Sequence, residues 1–367
     1  MITVEEQTRE EFITKLIDSN FTTYYAATHP KHSKSNPAYR FTKSPVSIAI
    51  PHQWSYRDAR ERLMELSTLL TPQEAERMNI NLVNPALKDF MPAAAMPTLR
   101  AGIQMVPPGA KAAAHRHSAN AFRIVLENPE KGAYTAVQGK RLRMKRGDLV
   151  LTPNWAWHEH HNEGDKPVIW YDGLDVMMPY WIGGVFFEEM HSVTGHEFQE
   201  LDGDQDDMAA AVGTGGMIQH SAVGDAQQTK NSPLMHYPYE NARSALQRLE
   251  DQGAGNPFEG VRLEYINPIN CGPVFPSMSV SIQMISAKST VEAMHRTENI
   301  LYLTLEGSVT FNLPNNQSFT TEENDVVAIP SWVPYSITNN EQAPAVLASQ
   351  SDRPVFKALG WYREQAA

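Results

Sequence analysis

The sequence has a single cysteine, Cys271, in 367 residues, so no intramolecular disulfide can form. Folds that depend on disulfides are therefore excluded, and a reducing compartment, the cytoplasm, is the expected location. The first residues lack a basic start followed by an apolar run, and no segment approaches the roughly eighteen apolar residues of a membrane-spanning helix. The sequence therefore predicts neither a secreted protein nor one that spans a membrane.

Positive charge is also scarce. The 31 lysines and arginines face 42 acidic residues, which gives a formal net charge of −11. The phosphates of nucleic acids require a basic surface, so a nucleic-acid partner is not expected. An anionic substrate would need a pocket that is locally positive. The hydrophobic fraction of 41% is normal for a folded globular protein, and the chain is long enough for more than one domain.

Histidine, in contrast, is concentrated in two clusters. The first holds His115 and His117, and the second holds His158, His160 and His161. Each cluster lies in a segment with the pattern of a β-strand, where side chains alternate between two faces. The pair His115 and His117 can then converge with the pair His158 and His160 on one cavity, as a metal site. His161 points the other way and is predicted to be structural.

Glycine, proline and asparagine residues surround the clusters at fixed separations. The two sets are Gly109, His115 and His117, followed by Gly147, Pro153, His158 and Asn162. This double pattern resembles the two cupin motifs, in which a small antiparallel β-barrel carries a metal ion on inward-facing strands. Trp155 departs from the pattern, because many cupins have glycine at that position.

A common fourth cupin ligand is missing. Most metal-binding cupins also supply a glutamate shortly after the second histidine, where this sequence has Ala121 and Phe122. Three neutral ligands remain, namely His115, His117 and His158, and imidazole suits iron, zinc, copper and nickel. Without a protein carboxylate the ion keeps its full charge and favours a chelating anion, such as a hydroxylated aromatic acid. A further open position can take dioxygen.

The second cupin motif recurs later in the chain. Residues 148–155 are echoed by residues 325–332, which predicts a second barrel of the same kind. In this copy Tyr335 stands in place of His158, and the histidine pair becomes His295-Arg296-Thr297. We expect the second barrel to hold no metal and to serve structure or assembly.

The repeat predicts a mainly β fold, a bicupin of two double-stranded β-helix (jelly-roll) barrels with a helical N-terminal region. The predicted parts are an N-terminal helical and loop cover (1–95), a catalytic metal-binding cupin (96–190), a connector with an acidic glycine-rich loop and a short helix (191–255), and a metal-free cupin (256–367). Capping signals and apolar periodicity predict helices over Tyr56–Leu70, Pro72–Asn79 and Tyr239–Glu250.

Several longer segments carry a resemblance to one family. They are Ala101–Gln104, Ala114–Ser118, Ala121–Arg123, Ala133–Val137, Leu151–Pro153, Trp157–His160, Trp170–Asp175 and, in the second barrel, Pro330–Pro334. These segments resemble gentisate 1,2-dioxygenases and the related salicylate and 1-hydroxy-2-naphthoate dioxygenases, which are bicupin ring-cleaving enzymes. The likeness covers most of the chain outside the extreme N-terminus and the connector.

The resemblance implies a cofactor and a reaction. Ferrous iron would be bound by His115, His117 and His158, and the substrate would chelate it through a carboxylate and an ortho hydroxyl group. A gentisate-type or salicylate-type ring would open between those two carbons, and both atoms of dioxygen would end in the product. The resemblance also implies a homotetramer, in which the N-terminal region reaches a neighbouring subunit.

Further residues are predicted to act on the substrate. Arg123 shares sequence parity with His117, so its planar guanidinium can anchor a carboxylate on the metal side. Arg77 matches a family arginine that reaches the same pocket. Gln104 lies on a strand that leads to the site, where its amide can bond substrate or oxygen. His160 faces the cavity without a metal role and is the candidate acid and base.

Asp172 and Arg100 complete the predicted site. Asp172 is expected to orient His160 and hold its tautomer, with a buried structural hydrogen bond as the alternative. Arg100 stands where the family usually has tryptophan or tyrosine. A cation there would meet an extra nitro, halogen or anionic group, which favours substituted salicylates such as 5-substituted ones over gentisate.

Two other classes of protein remain as alternatives. Metal-dependent bicupin isomerases and decarboxylases generally keep the glutamate that is missing here. A non-enzymatic bicupin that stores or binds small molecules has no need of His160, Asp172 and two arginines beside three histidines. The prediction is therefore a ring-cleaving dioxygenase that acts on a small aromatic acid.

Overall fold

A computed structural model describes residues 4–25, 42–71, 78–128, 132–190 and 230–367, and the backbone of 199–200. Residues 1–48 and residues 49–367 form two separate compact units. In the first unit, helix α1 spans Val4–Asp18, and Ile13 is its buried residue. No helix in the described ranges has the length and apolar character that crossing a bilayer requires.

The second unit is mainly β. The helices among its described residues are α2 (Tyr56–Leu69), α3 (Met177–Trp181), α4 (Tyr239–Asp251) and α5 (Arg353–Ala358). Its strands are β1 (His52–Trp54), β2 (Met78–Asn81), β3 (Arg100–Val106), β4 (Lys111–His117), β5 (Ala121–Glu127), β6 (Ala133–Val137), β7 (Lys140–Arg143), β8 (Leu149–Thr152), β9 (His158–Asn162), β10 (Val168–Leu174), β11 (Phe187–Glu189), β12 (Gln199–Glu200), β13 (His236–Tyr237), β14 (Val261–Glu264), β15 (Ser279–Ile285), β16 (Ser289–Arg296), β17 (Ile300–Glu306), β18 (Thr310–Asn312), β19 (Ser318–Thr320), β20 (Val326–Ile329), β21 (Tyr335–Asn339), β22 (Ala345–Ser351) and β23 (Glu364–Ala366).

The first barrel consists of two six-stranded sheets, in the orders β13-β8-β5-β10-β3-β2 and β11-β4-β9-β6-β7-β12. Its apolar core joins Val125 and Trp170 of one sheet to Val137 and Leu142 of the other. Inward-facing apolar residues of both sheets are removed from water together, which is what closes the barrel.

The second barrel repeats this plan with sheets in the orders β1-β20-β17-β22-β15-β14 and β19-β18-β21-β16-β23. Its core includes Tyr302, Phe311, Val327 and Ile337. The fold class predicted from the sequence repeat, a bicupin with a helical N-terminal region, is confirmed.

The two barrels exchange short strands. Strand β1 precedes the first barrel in the chain but pairs with β20 of the second, and β13 precedes the second barrel but pairs with β8 of the first. Each exchanged strand leads into a helix held by an aspartate of the same barrel. Oδ1 of Asp325 accepts from the backbone N–H of Tyr56 at 2.8 Å, and Oδ1 of Asp148 accepts from that of Tyr239 at 2.9 Å. The predicted divisions at 95, 190 and 255 remain a prediction.

Two of the three predicted helices are confirmed, since α2 and α4 begin at the predicted residues and end within one residue of them. The third prediction, Pro72–Asn79, falls largely on residues 72–77, outside the described residues. At its end it is wrong, because Met78 and Asn79 lie in β2 and pair with Met105 and Gln104 of β3. Here pairing with a neighbouring strand outweighs the local helix signal. The acidic, glycine-rich part of the connector also lies outside the described ranges.

The unusual tryptophan of the second motif occupies a strained backbone position. Trp155 has φ of +59° and its counterpart Trp332 has φ of +65°, in the left-handed region that favours glycine. The Trp155 ring packs against Phe186 and stacks with the guanidinium of Arg116, 5.0 Å from the ring centre. These contacts offset the backbone strain at a position where many cupins have glycine.

Gly147, the first residue of the second motif, is the site of a stability prediction. It has φ of +85°, and a Cβ there would lie 2.4 Å from Cγ of Tyr239 on α4. Gly147→Ala is therefore expected to lower the free energy of unfolding by about 3 kcal/mol, as measured by denaturant titration. The matched control is Gly109→Ala, which has φ of +65° but no described atom within 4 Å of the added Cβ, and should cost about 1 kcal/mol. Equal losses would contradict the packing argument.

Candidate metal centre and active site

Three histidines of the first barrel come together as a candidate metal centre. Strand β4 supplies His115 and His117, and the neighbouring strand β9 supplies His158 directly opposite His115. One ring nitrogen from each residue lies within 4.8 Å of the other two. The predicted convergence of both clusters on one place is thus confirmed for these residues.

Backbone carbonyls orient all three imidazoles in the same way. Nδ1 of His115 bonds the carbonyl of Ala113 at 2.8 Å, Nδ1 of His117 bonds that of Ala119 at 2.8 Å, and Nδ1 of His158 bonds that of Ala156 at 2.9 Å. Because a carbonyl can only accept, each Nδ1 carries the proton and each Nε2 presents a lone pair. This tautomer is the one that a metal requires of an Nε2 ligand.

The environment of His158 fits a metal ion. Its Nε2 atom is buried, with no hydrogen-bond partner in the described part of the chain, which is costly unless a ligand binds there. Burial, assisted by the charges of His115, Arg123 and His117, holds the pKa of His158 well below its usual range. The ring is therefore neutral and able to ligate at neutral pH. Three neutral imidazoles suit a divalent transition metal.

The structure of β5 agrees with the absence of the usual glutamate ligand. Ala121 and Phe122 are both fully buried, and the cluster of described residues able to hold a metal consists of the three histidines alone. Any bound divalent ion would keep its double positive charge and its open positions.

A cavity of about 360 Å³ opens beside the histidines. Its apolar side comes from Val185, Phe186 and Phe187, at and before β11, and the Phe187 ring stacks on His115 with centroids 5.5 Å apart. Its polar side comes from β2, β3, β5 and β10, with Asn79, Asn81, Arg100, Gln104, Arg123 and Asp172. This size and this mixture of surfaces suit a single aromatic ring with polar substituents.

Two arginines share one carboxylate on the polar side. Arg123 is 3% exposed, and its Nη1 donates to Oγ1 of Thr152 at 2.8 Å. Its Nε lies 3.5 Å from Oδ1 of Asp172, while Nη1 of Arg100 donates to Oδ2 of the same carboxylate at 3.3 Å. Among the described residues that line the cavity, these two guanidinium groups outnumber the one carboxylate, so the described wall carries a net positive charge.

His160 is fully buried behind the ligand histidines. Its ring centre lies 5.8 Å from that of His158 and 5.2 Å from the Trp170 ring. Nδ1 of His160 is 2.9 Å from Oγ1 of Thr135, a partner that the sequence did not indicate. The contacts described above for the carboxylate of Asp172 are with the two arginines. Its predicted role in orienting His160 stays a prediction.

The remaining predicted residues divide into three groups. Gln104 and Arg100 line the cavity as predicted, and Arg77 lies outside the described residues. His161 turns away, stacks on Tyr134 at 4.7 Å and bonds Glu159 at 2.8 Å. Asn79 is a cavity residue that sequence reasoning missed, because its strand was interpreted as the end of a helix.

The second barrel has different residues at the corresponding positions. Met294 lies opposite Tyr335, just as His115 lies opposite His158, so Met294 and Arg296 replace the histidine pair. The match to His295–Thr297 drawn from the sequence is thus displaced by one residue, while β4 and β16 share an irregularity of register just before His115 and Met294. Arg296 bonds the Tyr335 hydroxyl at 3.1 Å and Glu259 at 3.0 Å. A guanidinium inside this barrel disfavours a metal cation.

Comparisons with known proteins agree with this geometry. The family model described as "Cupin domain" matches residues 102–177. Gentisate 1,2-dioxygenase 1 of Aquipseudomonas alcaligenes is 35% identical over 88% of this chain and 89% of its own length. The 5-aminosalicylate 1,2-dioxygenase of Comamonas sp is 32% identical over 95% and 91%. The salicylate 1,2-dioxygenase structure from Pseudaminobacter salicylatoxidans superposes with a TM-score of 0.82 at 27% identity, over 97% of each chain.

Proposed function

The chain belongs to the gentisate and salicylate 1,2-dioxygenase family of aromatic ring-cleaving enzymes, and from this membership we propose an Fe(II)-dependent enzyme that opens a hydroxybenzoate ring. The bond cleaved would join the carboxylated carbon and the adjacent hydroxylated carbon of a gentisate-type or salicylate-type acid. The observation that carries the proposal is the three-imidazole face beside a positively charged aromatic-sized cavity. Ferrous iron, when bound, would supply the redox chemistry for dioxygen and open positions for a chelating anion.

Arg123 is proposed to anchor the substrate carboxylate. Its guanidinium is buried on the cavity wall, where a planar fork matches a carboxylate in geometry and charge. Thr152 and Asp172 hold this side chain in place before the substrate arrives. Binding therefore orients the ring with its carboxyl and hydroxyl groups toward the histidines, while Gln104 offers its amide to substrate or oxygen.

His160 is proposed to accept and return the proton of the substrate hydroxyl. Oγ1 of Thr135 donates to Sδ of Met144 at 3.5 Å, and a thioether can only accept. With its proton on that bond, Thr135 accepts from Nδ1–H of His160, and this is the tautomer that we propose, because it leaves Nε2 unprotonated. In this tautomer Nε2 is the atom that can take the proton. The proposal that Asp172 orients His160 and holds its tautomer also stands.

Thr135→Val should lower kcat about tenfold or more, because it removes the bond that holds the His160 tautomer. The iron content should not change, since Thr135 does not contact the three ligands. The measurement is a pH profile of kcat with parallel metal analysis. Thr304→Val in the second barrel, which removes an equally buried bond to Thr321, is the matched control and should leave the profile unchanged. An unchanged kcat and pH profile for Thr135→Val would contradict the role proposed for the bond between Thr135 and His160.

The alternatives from the sequence are less well supported. The relatives named above are ring-cleaving dioxygenases, so the chain is an enzyme rather than a storage or binding bicupin. An isomerase or decarboxylase would need the carboxylate ligand that Ala121 and Phe122 replace.

An oxygen electrode combined with ultraviolet spectra tests the proposal. The iron-loaded enzyme is presented with gentisate, salicylate and substituted salicylates, each beside its O-methyl ether. Oxygen uptake with an acid and none with its ether is expected, because the ether cannot chelate through an ionised hydroxyl. The absence of oxygen uptake with every hydroxybenzoate tested would contradict the proposal.

Assembly as a homotetramer and a cytoplasmic location are also proposed. The single cysteine supports a reducing compartment. Light scattering on purified protein measures the assembly, and a monomeric mass would contradict it. The contribution of Arg77 is proposed from its match to the family alone.

A further inference from the structure

We propose that the wall formed by β2 and β3 binds a second substituent of the aromatic ring, a planar group with two oxygen atoms on one centre, namely a carboxylate or a nitro group. The inference rests on the proposed function, because it concerns the substrate of the same cavity. The wall residues are Asn79, Arg100 and Gln104, called here the β2–β3 subsite. The preferred substrate is then a hydroxybenzoate that carries an additional acidic or nitro group.

Gly102 makes the subsite possible. Arg100 and Gln104 flank it on β3 and project from the same face, and Asn79 of β2 lies opposite Gln104. A Cβ at Gly102 would lie 2.7 Å from Oδ1 of Asn79. The missing side chain therefore gives the Asn79 carboxamide room to lie across β3, between the arginine and the glutamine.

One polar atom of the subsite is prepared for a ligand that accepts hydrogen bonds. Gln104 is 1% exposed and lines the cavity, yet its Nε2 has no hydrogen-bond partner among the described residues. Buried amide atoms are normally satisfied, so a substituent that accepts from Gln104 and Arg100 would complete the wall.

The charge of the wall favours an anionic substituent. Arg100 and Arg123 share the single carboxylate of Asp172, at 3.3 and 3.5 Å. If Arg123 anchors the chelating carboxylate, the guanidinium of Arg100 keeps its remaining N–H groups for a second one. A tryptophan or tyrosine, usual at this position in the family, has neither the positive charge nor the planar set of N–H donors of a guanidinium group.

Anaerobic calorimetric titration of the iron-loaded enzyme tests the subsite. The ligands are salicylate, its 4- and 5-carboxy derivatives and its 4- and 5-nitro derivatives. We expect at least one derivative to bind about tenfold tighter than salicylate. Arg100→Trp should abolish this ratio, whereas Arg100→Gln, which keeps a donor but no charge, should abolish it for carboxylate and retain part of it for nitro. Arg57→Trp, at a 69% exposed side chain paired with Glu322, is the matched control.

The outcomes separate this inference from the proposed function. A preference for a derivative that disappears in Arg100→Trp but not in Arg57→Trp supports the subsite, and the Arg100→Gln result identifies the group as carboxylate or nitro. Equal affinities in wild type, or a preference unchanged in both Arg100 variants, overturns the inference. Because these titrations exclude oxygen, they measure binding independently of turnover. Uptake with salicylate but no binding preference would leave the function intact and the subsite refuted.

Discussion

His158→Ala should lose the bound metal and with it the enzymatic activity. The ring supplies one of three ligands, and among the described residues the group able to hold a metal consists of these three histidines alone. Loss of a group that only orients a ligand lowers metal affinity or activity by about 10–100-fold. Loss of the ligand itself should therefore lower them by more than about 100-fold. The measurement is iron per chain after gel filtration, together with kcat.

The control for this prediction lies on the same strand. His161 is three residues further along β9 and faces away from the cluster, where it stacks on Tyr134. His161→Ala should therefore keep the wild-type iron content and most of the activity. Wild-type iron and turnover in His158→Ala would show that the metal is held elsewhere.

Arg123→Met should reduce kcat/KM about 1000-fold, mainly through a higher KM for the aromatic acid. A buried guanidinium that meets a carboxylate in two parallel bonds contributes several kcal/mol, and methionine keeps only its volume and apolar stem. Arg123→Lys retains the charge but not the fork, and should recover only part of the loss. Steady-state kinetics at saturating oxygen measure kcat/KM and KM for both variants, and anaerobic titration measures their affinity for the substrate.

Removal of Arg123 also leaves Asp172 with one arginine instead of two. Part of the effect could then come from a disturbed wall rather than from the lost anchor, so Asp172→Asn and the double variant are needed as a cycle. We expect the double variant to bind the substrate no better than Arg123→Met. Recovery of wild-type KM in the double variant would contradict the anchoring role.

The barrel and the metal ligands were predictable because the motif residues each have a local physical cause. Asn162 shows this well: its Nδ2 donates to the carbonyls of Val106 and Lys166, and its Oδ1 accepts from the N–H of Gly164. Asn339 makes the corresponding set of bonds in the second barrel. Because an asparagine closes the same turn in each barrel, it appears at the same place in both copies of the sequence repeat. The alternation of side chains along a strand then predicts which histidines face the same side.

The exchanged strands and the β2–β3 subsite were not predictable in the same way. Strands β1 and β13 have three and two residues, too few to show a period of two, and their partners lie far away in the sequence. Asn79 reaches the cavity only because Gly102 stands diagonally opposite, which requires the register of β2 against β3. The Thr135 contact to His160 likewise depends on the pairing of β6 with β9.

Turnover under isotopically labelled dioxygen tests whether the three-histidine face of the first barrel serves ring cleavage. The protein is loaded anaerobically with Fe(II), mixed with its best hydroxybenzoate and exposed to ¹⁸O₂, and the product is analysed by mass spectrometry. A ring-opened product that contains both labelled atoms is expected from the wild type and not from His158→Ala. A product with an intact ring, or one whose new oxygen comes from water, would contradict it.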